Sequence, residues 1–284
     1  MKKALKYAYI GLMLFFLYAP IMVLVVFSFN ESRSRVRWTG FTFDWYRELF
    51  NNPRIADALT TTLIVGILST VFAVIIGTMA AIAIHRLRST RKKLDTVQEK
   101  TLLGFTRLSM SSPEIILGVS LMVSFVFFIN TFRLREIGFN MGFQTLLLSH
   151  IAFNVPYVVM SVLPRLSRID ERIYEAAMDL GASPFTAFRK TMLPQLKPGI
   201  ISAAMIAFTL SIDDVVVSTF TAGATTNLSI LIFSQARRGV NPSINALSTI
   251  MFIVVMFLLY VINAIDKKTK KNVQDDNNEG VLEI

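Results

Sequence analysis

Residues 170–200 read DERIYEAAMDLGASPFTAFRKTMLPQLKPGI, a charged stretch between two long apolar runs. Asp170 suits an N-cap, and Glu171 and Glu175 fall in the first turns of a helix, where the macrodipole favours acids. Ile173, Ala176, Ala177 and Leu180 recur at helical spacing and give that helix an apolar stripe. Gly181 ends it, because glycine adopts the left-handed conformation after a C-cap without steric cost. Ser183 and Pro184 then supply an N-cap and a first-turn proline. The second helix, PFTAFRKTML, is expected to stop before Pro194. Two short amphipathic helices joined by a glycine turn bury little alone. They must lie on lipid headgroups, as Arg168, Arg172, Arg189 and Lys190 would suit, or against the bundle or another protein. The residues by themselves leave these readings open.

The flanking runs set the class. The chain has 284 residues, 53% hydrophobic and 17% charged, with 23 Phe and 13 Met. Soluble domains carry roughly 25% charged residues, so this is the composition of a polytopic membrane protein. Six segments are long enough to cross a hydrocarbon core, near 7–29, 60–84, 105–129, 143–163, 199–220 and 247–265. The first follows a basic start but is too long for a signal-peptide core, and no A-x-A-like cleavage site follows it. It reads as an uncleaved span, kinked at Pro20. The expected fold class is therefore all-α and integral to the membrane. With no Cys, disulfides, thiolate metal sites and cysteine nucleophiles are excluded, and the redox compartment stays open.

Lysine and arginine are distributed unequally. The N-terminus, the 85–104 and 164–198 loops and the tail carry nineteen, and the alternating loops carry nine, with Arg107 near a membrane boundary. By the positive-inside rule both termini are cytoplasmic, as is the 164–198 loop. The net charge of +10 is thus a topology signal, and nucleic-acid binding is not expected. The division is a cytoplasmic N-terminus over 1–6, one transmembrane domain over 7–265 and a disordered polar cytoplasmic tail over 266–284.

EAAMDLGASPFTAFRKTMLP resembles the EAA loop of ABC importer permeases: E-A-A, three residues, G, nine residues, an aliphatic residue, any residue, then L-P. Glu175, Ala176, Ala177, Gly181, Leu193 and Pro194 match at that spacing. Thr191 stands where the family usually has Ile, which puts one apolar contact in doubt. The resemblance implies the type I (MetI-like) importer fold, with this loop as a coupling helix seated in a separate ATPase subunit. The chain has no G-x-x-x-x-G-K-[ST] phosphate loop. ATP and Mg would accordingly be bound by the partner, and this chain would be a transport subunit, not an enzyme.

Charges inside membrane helices are costly and tend to face a cavity, a partner charge or a substrate path. In SIDDVVVSTF, residues 211–220, Asp213 and Asp214 would point about 100° apart on a continuous helix. Asp214 shares its face with Ser211, Ser218 and Thr221, which reads as cavity-facing. Asp213 has Thr209 but otherwise shares a stripe with Ile206, Leu210, Val216, Val217 and Phe220, as if held by a neighbouring helix or subunit. Glu114, after Pro113, is a third acid in an apolar segment, or else a boundary residue. The middle of no other expected span offers a Lys or Arg. That leaves an internal ion pair poorly supplied beside a protonated Asp, a cationic partner or a cationic substrate. His85 and His150 read as interfacial or packed, and no set of ligands has the count a metal site needs.

SIDDVVVSTF, SMSSPEIILGVSL, LYAPIMVLVVFSFNES, GFTFDWYRELF and RRGVNPSINALSTI also resemble, in order, stretches of the spermidine/putrescine permeases of that family. This implies a polyamine importer working with a homologous second permease, ATPase subunits and an extracytoplasmic polyamine-binding protein. Asp214, Asp213 and Glu114 would lie on the substrate path. An ABC permease for another cationic solute, such as a metal ion or thiamine, is the alternative. A stand-alone cation channel or carrier is a third reading, against which the EAA loop speaks.

Overall fold

The computed structural model describes residues 2–32, 37–89, 93–238, 242–257 and 259–261. The described residues are helical apart from short connections, with a single isolated β-bridge between Asn30 and Phe41. Among the described residues, six helices are long and apolar enough to cross a membrane. The chain forms α1 (Lys2–Phe27), α2 (Asp44–Asn51), α3 (Pro53–Ser89), α4 (Lys93–Ser111), α5 (Glu114–Thr131) and α6 (Phe143–Leu166). There follow α7 (Glu171–Asp179), α8 (Pro184–Ala187), α9 (Leu193–Asp213), α10 (Val216–Thr221), α11 (Leu228–Arg238) and a last span, α12 (Pro242–Val261).

The centre of the molecule is the packing of α3, α6 and α9. Association of helices in lipid depends on close fit, so small residues belong at their interfaces. On α3, Ser69, Ala73, Gly77 and Ala81 repeat every fourth residue and all are buried. This stripe lets the α6 backbone approach. A Cβ on Gly77 would lie 2.7 Å from the Val158 side chain and 3.2 Å from the Val155 carbonyl oxygen. Val158, Val159, Val162 and Leu166 of α6 and Leu196, Ala203 and Ala207 of α9 complete the core. A second apolar cluster joins Ile55 and Ala58 of α3 to Leu49 of α2, Leu228 of α11 and Leu247 of α12. Before α2 the chain is tied back on itself by Asn30. Its carbonyl accepts from Trp45 Nε1 at 2.7 Å, and its Nδ2 donates to the Arg37 carbonyl at 2.9 Å.

Four expected boundaries change. The span expected over 105–129 is interrupted at Ser112 and Pro113, where α4 ends and α5 begins. Pro113 adopts an extended ψ of 132°, so the proline breaks the helix and does not merely kink it. The span expected over 199–220 is broken at Asp214 and Val215. At its other end the second loop helix does not stop before Pro194. It runs through a π-helical segment, Phe188–Met192, into α9 and forms one apolar span, Pro184–Asp213. The wide turn removes the reason for a stop, because the i−4 carbonyl that would clash with the Pro194 ring is displaced. Thr191 sits in this turn and donates its hydroxyl to the Ala187 carbonyl at 2.8 Å. The last span starts at Pro242, earlier than expected, and its continuation past Val261 lies outside the described residues, as does the tail 266–284.

Gly77→Ala should destabilise the bundle by about 1–3 kcal/mol through overpacking against Val158. Gly11→Ala, where nothing lies within 4 Å of the added Cβ, should leave stability unchanged or slightly raised. Thermal unfolding of the two detergent-solubilised variants measures the difference.

Candidate functional site

The two adjacent acids stand at a break between helices. α9 ends at Asp213, Asp214 is extended (φ −66°, ψ 120°), and α10 begins two residues later. The Asp214 carboxylate turns back to cap the new helix, accepting from the Val217 N–H at 3.2 Å and the Ser218 N–H at 2.7 Å. Its charge therefore meets two unpaired backbone donors at a helix N-terminus. The side chain is 7% exposed, whereas Asp213 is exposed. The continuous-helix reading had Asp214 facing a cavity and Asp213 held by a neighbouring helix or subunit; here Asp214 is turned inward and no described helix of this chain holds Asp213. The break rotates the acids independently, and the cap draws Asp214 inward.

What holds the break is His150 of α6, fully buried. Its Nδ1 lies 2.6 Å from Ser211 Oγ on α9, and its Nε2 lies 2.9 Å from Ser218 Oγ on α10. One imidazole thus joins both sides of the interruption, donating through one nitrogen and accepting at the other as the two hydroxyls rotate to suit. The network extends outward. Ser211 Oγ also pairs with Ser69 Oγ of α3 at 3.1 Å, and Asn227 Nδ2 donates to Ser218 Oγ at 2.8 Å. Asp214 Oδ2 lies 3.6 Å from His150 Nε2, within ion-pair reach of a protonated ring. Below α10, Thr145 Oγ1 donates to the Thr221 carbonyl at 2.6 Å, and Ser149 and Thr221 pair through their hydroxyls at 2.8 Å. The polar stripe read from Ser211, Ser218 and Thr221 exists, but it faces α6.

Glu114 opens α5 and is exposed, with no side-chain hydrogen bond or ion pair among the described residues. One turn further on, Gly118 packs against Val217 and Phe220 of α10. The break before Glu114 and the break after Asp213 therefore lie on elements in contact, although neither exposed acid touches the other. Interrupted helices that leave charged groups and backbone free at membrane depth are where transporters build solute sites. Among the described residues, no group of three or more His, Cys, Asp or Glu is placed to hold a metal ion.

The EAA-like loop forms as its residues dictate. Asp170 Oδ1 accepts from the Arg172 N–H at 3.0 Å. At the far end, Gly181 has φ +86°, and the N–H groups of Gly181 and Ala182 bond the carbonyls of Met178 and Ala177 at 2.9 and 3.1 Å. The Ser183 hydroxyl caps α8 by accepting from the Thr186 N–H at 3.3 Å. Inward, Tyr174 packs on the main core, and Glu171 Oε1 lies 2.8 Å from His85 Nε2 of α3. Outward, Leu180 is 90% exposed and Phe185 72% exposed. Glu175, Ala176, Gly181, Leu193 and Pro194 are exposed too, and Ala177 is half-buried. Of the three places such helices could lie, the bundle takes Tyr174 of the first helix and Phe188 and Met192 of the second, while Leu180 and Phe185 point away from it.

The sequence reading had His150 as interfacial or packed, and it is packed; its place as the joint of the break was not read. The signal was a pair of hydroxyls, Ser211 and Ser218, on one face of an apolar helix, which required a polar partner on a neighbour.

The profile of the family described as "Binding-protein-dependent transport system inner membrane component" matches residues 73–271. The spermidine/putrescine transport system permease protein PotC of Escherichia coli (strain K12) is 39% identical over 262 residues, covering 92% of this chain and 93% of that protein. The putrescine transport system permease protein PotI of the same organism is 35% identical, covering 91% of each. Among solved structures, a bacterial alginate ABC transporter in complex with an alginate pentasaccharide-bound periplasmic protein has a TM-score of 0.65 at 18% identity, covering 94% of this chain and 93% of that chain. At that identity the likeness speaks for the fold alone.

His150→Leu removes one partner each from Ser211 and Ser218, which keep Ser69 and Asn227, and should cost about 0.5–1.5 kcal/mol for each hydrogen bond lost. Asp214→Ala should cost about 0.5–2 kcal/mol through loss of the cap, and Asp214→Asn less, since one capping oxygen remains. Melting temperatures of the purified variants test this order.

Proposed function

This chain belongs to the family of binding-protein-dependent transport system inner membrane components, and from that premise we propose that it is the permease subunit of an ABC importer for spermidine, putrescine or both. The observation that carries the reading is Asp213. It is a carboxylate at the end of a spanning helix, exposed on the single chain and without a side-chain hydrogen bond or ion pair among the described residues. A polyamine leaves its hydration shell on entering the membrane, and ammonium groups then need carboxylates in place of water. Asp213 and Glu114 supply them from the two interrupted spans, and Asp214 holds the interruption in shape. The exposed acids face outward from this subunit, so the path is completed by a second, homologous permease. An extracytoplasmic polyamine-binding protein delivers the solute.

ATP and Mg are bound by a separate ATPase subunit, which docks on α7 and the turn after it. A short helix with exposed apolar anchors is suited to a groove in another protein, and Leu180 and Phe185 are those anchors. The docking element is joined to the solute site by the chain itself, because the span Pro184–Asp213 begins beside Leu180 and ends at the acid. Its 30 residues measure roughly 45 Å at the α-helical rise. A displacement of the loop by the ATPase is carried along this helix to the break. The lysine and arginine asymmetry places both termini and this loop in the cytoplasm, in a multi-pass protein of the cell membrane.

Uptake of radiolabelled spermidine and putrescine by cells in which this chain replaces their own permease tests the reading. Asp213→Asn should raise the KM for uptake roughly tenfold, as expected for loss of about 1.5 kcal/mol from one charge-assisted contact, with chain levels unchanged. Leu180→Asp should abolish ATP-driven uptake by expelling the loop from the ATPase groove, again without lowering chain levels. Unaltered polyamine uptake in Asp213→Asn would remove the acid from the path.

A further inference from the structure

A second feature lies at the C-terminal end of α6, away from His150 and the break at Asp214. Between α4 and the C-terminal end of α6 an open groove of about 360 Å³ has an apolar floor that includes Leu103, Leu163 and Pro164. Ser167, Arg107 and Arg168 stand at its polar rim. Both arginines are exposed, and neither side chain makes a hydrogen bond, ion pair or ring contact among the described residues. The acids next along the chain are committed elsewhere, Asp170 to the N-terminus of α7 and Glu171 to His85. Among the described residues, no carboxylate lines the groove. On α4, Phe105 and Leu108 are 66% and 63% exposed, so an apolar surface continues beside the groove.

We propose that this groove is a binding site for the headgroup of an anionic phospholipid. A guanidinium is a planar fork that meets phosphate oxygens in pairs, and two of them facing one apolar floor match a phosphodiester with the first carbons of its chains. The groove lies where α6 ends and the charged loop begins, the level at which headgroups sit. The charge count gives this side of the membrane to the cytoplasm, whose leaflet carries anionic lipid, and basic pockets between spans on that side bind such headgroups. Arg168 is two residues before the Asp170 cap, so a lipid held by Arg107 and Arg168 ties the root of the EAA-like loop to the bilayer. That tie constrains where the loop can be when a partner docks on it.

The test uses the full chain purified in detergent, with phosphatidylglycerol or phosphatidylcholine added and retained lipid counted by native mass spectrometry. The wild-type chain should retain phosphatidylglycerol over phosphatidylcholine. The double variant R107Q/R168Q should reduce that affinity roughly thirtyfold, at about 1 kcal/mol for each arginine removed. Arg133→Gln, at the other end of the molecule, should not change it. Met160→Trp, which fills the floor and keeps both arginines, should also lower retention. Equal retention of the two lipids, or undiminished phosphatidylglycerol in R107Q/R168Q or Met160→Trp, would overturn the proposal. So would displacement of the lipid by millimolar inorganic phosphate, which would mark a site for soluble anions, or by a docked protein subunit occupying the same groove.

Discussion

The contacts of the His150 imidazole with Ser211 and Ser218 are the joint on which the acid end of this bundle depends. A helix interrupted within a membrane leaves backbone donors and acceptors that no water can satisfy, each worth several kcal/mol if orphaned. Here the Asp214 carboxylate takes two of the donors, and the imidazole fixes the positions of the two helix ends relative to α6. Asn227 and Ser69 bring the flanking elements into the same network. The break is consequently a defined shape, and it leaves Asp213 free to face out of the subunit.

That arrangement gives the adjacent acids different work. Asp214 is structural, a buried cap whose charge is met by backbone N–H groups. Asp213 ends a helix and has nothing of its own to bind within the described chain. Its helix begins at the exposed loop. One element therefore reaches from an exposed apolar loop to an exposed carboxylate. The loop helix passes through the π turn at Phe188–Met192 and Pro194 into α9, which keeps the two ends on one element.

Much of this was legible in the sequence wherever the cause is local. Asp170, Gly181, Ser183 and Pro184 act through their own backbone or that of the next few residues, and each does in the structure what its residue type requires. The apolar runs announce spans because hydrocarbon thickness fixes their length, and the EAA spacing marked the outward-facing loop. Arg107 was visible near a membrane boundary as well, but nothing in one dimension shows that Arg107 and Arg168 border one groove. His150 was legible as interfacial or packed, but its place as the joint was not, for the same reason. Its partners are 61 and 68 residues away, and a histidine in an apolar run says nothing of what faces it.

By itself, then, the sequence determined an all-helical membrane chain with six spans, a capped helix pair on one loop and acids in an apolar setting, because hydropathy, capping and charge are properties of neighbouring residues. Only the tertiary structure decided which acid is buried and which is exposed. That outcome turns on where a helix breaks, and the break is stabilised by a side chain on another helix. Once α9 ends at Asp213, the 100° that separates adjacent residues on a continuous helix no longer applies, and the two carboxylates are free to take opposite roles.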